Sequence, residues 1–140
     1  MRSRCTPRRG TRDQRGAAAV EFGLIAIILF TLLFGIIQFG FWFWAWQAGA
    51  HAAREASRVA AVNPCDQTKI KAAGGNALAG APIADTPAWT VTTTSPVEVG
   101  GEVTVHVTFT TLDLNLFPGF DGVVDKSATS RIENLPPGGC

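Results

Sequence analysis

From Phe22 to Ala50 the chain has no charged residue, and Phe22–Phe41 is a twenty-residue apolar run. Leu, Ile and Phe fall on every face of a helix drawn through it, the pattern of a segment buried or in lipid. As an α-helix the run rises about 30 Å, the thickness of a bilayer's hydrocarbon core. Thr31 and Gln38 are its strongly polar interruptions, and Gln38 is expected to hydrogen-bond to a neighbouring helix. The run closes on FWFWAW, where Trp42, Trp44 and Trp46 are read as aromatic anchors at a membrane interface, with packing inside the folded domain as the alternative.

Beyond the apolar run the pattern changes but the helix is predicted to continue. AWQAGAHAAREASRVAAV is rich in Ala and has no Pro before Pro64, which predicts a helix to about Val62. Ala45, Gly49, Ala53, Ser57 and Ala61 make one row of small residues at i, i+4. Ala48, Ala52, Ala56 and Ala60 make the row beside it. Such rows allow close backbone approach. They suit either this chain's own sheet or a neighbouring subunit.

Asn63-Pro64 breaks the helix. Asp66 is placed to cap a short second helix, QTKIKAA, which Gly74-Gly75 is expected to weaken or end. Residues 79–88 read as a loop. Then the period drops to two. Trp89–Thr94 is rich in β-formers. In Glu102–Leu112, Val103, Val105, Val107 and Phe109 alternate with Thr104, His106, Thr108 and Thr110. LFPGFDG is a turn-rich loop, and Lys126–Glu133 is a weaker third strand with Ala128, Ser130 and Ile132 on one side. The expected fold class is α+β: an N-terminal transmembrane helix continuing into an exported helix, packed on a small antiparallel sheet. The division is a basic cytoplasmic leader at 1–16, a membrane helix at 17–50 and a small exported domain at 51–140.

Charge orients this picture. The net charge is only +1, but Arg2, Arg4, Arg8, Arg9, Arg12 and Arg15 all precede the apolar run, against Asp13 alone. By the positive-inside rule they hold the N-terminus in the cytoplasm and send residues 51–140 across the membrane. A cleaved secretory signal is the competitor, with Ala48-Gly49-Ala50 as an A-x-A site, but the apolar region exceeds the usual length of such signals. The leader lacks the interleaved aromatics of a nucleic-acid-binding segment, so no nucleic acid partner is expected.

Candidate chemistry is sparse. His51 and His106 are not at a metal-ligand spacing, and no C-x-x-C, P-loop, GxSxG or paired-carboxylate constellation appears. Asp113, Asp121 and Asp125 lack a calcium-loop pattern. Neither an enzyme nor a cofactor is expected. Cys5 lies in the leader. Cys65 and Cys140 fall on the expected exported side, where a disulfide persists. An intramolecular Cys65–Cys140 bond is the expectation, with an intermolecular link or two free thiols as alternatives. The conspicuous polar residue is Glu21, a carboxylate where a membrane helix begins. At minimum it favours the helix dipole.

The segment Gly16-Ala17-Ala18-Ala19-Val20-Glu21-Phe22, after a basic leader and before an apolar helix, resembles the class III prepilin signal. Together with AAREASRVAAV and SATSRIE, the stretch 15–133 resembles the TadE-like minor pseudopilins of the tight-adherence (Flp) pilus system. The resemblance implies cleavage by a prepilin peptidase between Gly16 and Ala17, leaving Glu21 as the fifth residue of the mature chain. It implies that Glu21 and Phe22 serve assembly. Phe22 stands where major Flp pilins usually have Tyr, which favours a minor pilin. It also implies other pilins and pseudopilins, an inner-membrane assembly platform and the lipid bilayer as partners. The alternative is an unprocessed, single-pass binding module anchored in the cytoplasmic membrane.

Overall fold

The computed structural model describes residues 14–115, 119, 121–138 and 140, with side chains from Gly16 onward. The expectations for the leader up to Asp13 and for part of the LFPGFDG loop lie outside the described residues. Five elements follow in order: α1 Gln14–Val62, α2 Gln67–Ala77, β1 Ala88–Thr93, β2 Glu102–Thr110 and β3 Val123–Arg131. The strands form one antiparallel sheet in the order β1-β2-β3. Val91 stands opposite Val105, and Val105 opposite Ala128. The chain divides into two compact units at Gly35 and Ile36.

The first unit is the uncovered part of α1. Val20, Phe22, Leu24, Ile25, Ile27 and Ile28 are all exposed, and so are the large apolar residues after them. Nothing in the described unit packs on this surface, which in water would forfeit about 25 cal/mol for every Å² of apolar area left uncovered. Thr31 satisfies its hydroxyl within the helix by donating to the Ile27 carbonyl at 2.8 Å.

The second unit is the α+β domain. Alternation in β2 does what period two requires. Val103, Val105, Val107 and Phe109 are buried, while His106 on the other face is exposed. The small residues of α1 receive them. Val107, Phe109 and Val124 pack with Ala45, Ala52, Ala53 and Leu78. Val103, Val105, Ile70 and Ile132 pack with Ala56 and Ala60. Thus most of the small rows are buried inside this domain, against the sheet and Leu78, with Ala48 left partly exposed. At Gly49 an added Cβ would lie 3.1 Å from Val124 Cγ1 and 3.2 Å from the Phe109 ring, so glycine lets helix and sheet approach closely.

Two clusters in this order also give a direction. As β2 runs from Val103 to Phe109, its helix partners change from Ala56 and Ala60 to Ala45, Ala52 and Ala53. The strand therefore runs antiparallel to α1, back toward the N-terminal end of the domain's helix. The far end is closed by polar contacts. The Glu133 N–H donates to the Ala61 carbonyl at 2.8 Å, and Ser130 Oγ donates to Ser57 Oγ at 2.9 Å.

α2 and β3 differ most from the sequence expectation, while β1 and β2 shift by one or two residues at their ends. α2 runs through Gly74 and Gly75 to Ala77. The cause is tertiary: Gly74 is buried beneath Trp89, whose ring a side chain there would overlap. β3 begins three residues earlier than Lys126, because Val123 and Val124 pair with Thr110 and Phe109 and Val124 enters the core. Asp66 caps α2 as expected, accepting from the Lys69 N–H at 3.0 Å. That bond, with the Lys69 ammonium beside it, holds the Asp66 carboxyl below its ordinary value.

Candidate functional site: the head and the collar of the long helix

The head of α1 carries the residues singled out in the sequence. Gly16, Ala17, Glu21 and Phe22 are all helical and exposed. The Gly16–Ala17 bond lies in the first turn of α1, where backbone N–H groups have no carbonyl partner one turn back. Glu21 follows Ala17 by four positions, so the two share a face. Its carboxylate makes no hydrogen bond or ion pair with another described side chain. A lone carboxylate on an otherwise apolar, uncovered helix is costly in hydrocarbon unless a partner or the headgroup region meets it.

Gln38 marks where cover over α1 begins, and its partner is not another helix. Its side chain is 2 % exposed. Nε2 donates to the Leu112 carbonyl at 3.0 Å, and Oε1 accepts from the Leu114 N–H at 2.8 Å. One amide thus satisfies two backbone groups of the segment after β2. The three tryptophans differ in their surroundings. Trp42 packs against the core cluster of Val107, Phe109 and Val124. Trp44 is exposed. Trp46 is exposed too, and Lys126 Nζ stands 3.8 Å from the centroid of its ring, a cation–π contact.

Sequence reasoning missed the clamp at Gln38, although a signal for it existed. Gln38, Trp42, Ala45, Gly49, Ala52, Ala56 and Ala60 recur at i+3 or i+4, which is one helical stripe. Gln38 is the first member of the stripe that the domain covers.

Cys65 and Cys140 are brought together, joined as a disulfide with Cα atoms 5.5 Å apart, within the usual span. His51 is exposed on α1. His106 pairs instead with Asp125, Nδ1 to Oδ1 at 3.1 Å, on the sheet's wet face. Among the described residues no group of three or more His, Cys, Asp or Glu is placed to hold a metal ion. An open groove of about 640 Å³ runs beside the end of α1, lined by Glu55, Arg58, Asn63, Arg131 and Glu133. Its charges are mixed, and Arg58 is already paired with Glu55 at 3.1 Å.

Residues 16–58 match the family model described as TadE-like protein, consistent with a TadE-like protein of the tight-adherence pilus system. The match begins at Gly16 and covers the apolar helix and its small-residue continuation. It does not reach the sheet. No curated protein and no solved structure matches the chain.

Proposed function

We propose that this TadE-like chain is a minor pilin-like subunit of a tight-adherence pilus, anchored in the cytoplasmic membrane by α1 and processed by a prepilin peptidase between Gly16 and Ala17. The leader is cytoplasmic and the α+β domain exported. The observation that carries this reading is the pairing of one carboxylate, Glu21, with an uncovered apolar helix, one turn after Gly16–Ala17. The family match over residues 16–58 supports it.

The physical sequence is as follows. The peptidase hydrolyses the Gly16–Ala17 amide, which requires the first turn of α1 to unwind. Glycine at position 16 lowers that cost, because glycine disfavours helix by about 1 kcal/mol. Hydrolysis leaves an amine on Ala17 four residues before Glu21. That amine, or the one on a neighbouring subunit, neutralises the carboxylate. Since a charge at a helix centre costs about 2.5–3.5 kcal/mol on insertion scales, a paired Glu21 favours entry of the helix head into an apolar bundle. Because most of the small rows are buried within the domain, subunit contacts fall to the uncovered run between Glu21 and Ile37. The partners are other pilins and pseudopilins and the inner-membrane assembly platform. The Cys65–Cys140 bond fits an oxidising, extracytoplasmic location for the domain.

The test is Glu21→Ala in cells lacking the wild-type copy. The variant should insert and be processed yet support no pili, whereas Gly16→Val should accumulate unprocessed. Normal piliation by the Glu21 variant would remove the proposed role.

A further inference from the structure

The end of the domain at which α1 loses its cover carries apolar surface that neither core cluster uses. Leu112 is 45 % exposed and Leu114 40 %, in the segment following β2, and Phe39 on α1 is 62 % exposed. β2 descends along α1 toward the N-terminal end of the domain's helix, and Gln38 fastens this segment there through Leu112 and Leu114. The exposed leucines therefore stand beside the boundary of the apolar run and not at the far end of the sheet.

The backbone of this segment is prepared for a dry setting. The Leu112 N–H donates to the Pro82 carbonyl at 3.0 Å, and the Leu112 carbonyl accepts from Gln38. The Leu114 N–H donates to Gln38, and the Asn115 N–H to Asp113 Oδ1 at 2.9 Å. Irregular backbone is tolerated near hydrocarbon when its polar groups are met by protein, as these four are, and the remaining groups keep the contact close to the headgroups. Further from the run, Lys126 lies over Trp46, a pairing of aliphatic stem, cation and indole that suits the headgroup layer. Asp113, between the two leucines, sets the depth: its carboxylate belongs among headgroups, so contact is shallow.

We infer that the Leu112–Leu114 segment, with Phe39, rests on the outer leaflet of the membrane that α1 crosses, as a second lipid contact clamped to the helix by Gln38. The occupant is phospholipid because the helix that carries Gln38 also exposes Ile36 and Phe39, which belong to the apolar run Phe22–Phe41 by sequence. The inference rests on the membrane reading of that run.

The experiment places a photo-crosslinking benzoylphenylalanine at Leu114, Leu29 or Val99 of the full chain in phosphatidylcholine nanodiscs, and reads adducts by mass. Val99 is exposed at the opposite end of the sheet. Lipid adducts at Leu29 and Leu114 but not at Val99 are expected. Lipid at Leu29 with none at Leu114 overturns the second contact and leaves the anchor intact. Adducts at Leu114 to a second copy of the chain overturn it as well, assigning the surface to subunit packing. No lipid at Leu29 overturns the membrane reading itself, and the inference with it.

Discussion

Replacing Gln38 by Ala should loosen the segment after β2 without unfolding the sheet. The side chain is 2 % exposed and makes two hydrogen bonds, to the Leu112 carbonyl and from the Leu114 N–H. Each is worth about 0.5–1.5 kcal/mol net, and an unmet buried partner costs more. Leu112 and Leu114 are themselves part-exposed, so water recovers some of the loss. An overall loss of about 2 kcal/mol corresponds to a roughly thirtyfold rise in local opening. Amide hydrogen exchange reads this directly. The Leu114 N–H should exchange roughly thirtyfold faster in Gln38→Ala, while central β2 amides such as that of Val105 change much less. If the Leu114 amide is equally protected in both proteins, the clamp does not hold the segment and the reasoning built on it fails.

Other outcomes follow from the same packing. Gly74→Ala should destabilise the domain by about 1–2 kcal/mol, because the new methyl overlaps Trp89 by more than the gain in helix propensity offsets. Gly75→Ala, with nothing within 4 Å of the added carbon, should instead stabilise it by up to about 1 kcal/mol. Equal signs in thermal melts of the two variants would contradict the Trp89 contact. The Cys65–Cys140 bond closes a separation of 75 residues, for which loop entropy sets a ceiling of about 4.5 kcal/mol; a tail with little structure beyond it should realise less. Cys140→Ser should therefore lower the melting temperature, and alkylation of the unreduced wild type in intact cells should find neither thiol free. Alkylation of both would contradict the bond.

Much of this architecture is legible in the sequence because one physical signal dominates each part of it. The break at Asn63-Pro64 ends α1, and no proline before it interrupts the helix that the apolar run announces. Strict alternation from Val103 to Phe109 specifies β2 and its buried face. The small rows correctly announce close approach but not its partner: alanines accept a sheet or another helix equally, and only the valines of β2 settle the matter. Gly74 misleads because its cost to the helix is local while its cause, the Trp89 ring, is distant in sequence. Gln38 misleads for the same reason, as its partners lie 74 and 76 residues away. Glu21 is different. Its placement at the head of an apolar helix is plain from the sequence, and the role proposed for it depends on a cleavage and on subunits outside a single chain.

The most direct test of the central claim is the intact mass of the protein recovered from the membranes of cells that carry the whole tight-adherence system. Cleavage between Gly16 and Ala17 predicts a chain that begins at Ala17 and, with Cys65 and Cys140 bonded, is lighter by two hydrogens than its reduced form. A chain that retains Arg2–Gly16 would contradict processing and leave an anchored, unprocessed module in its place.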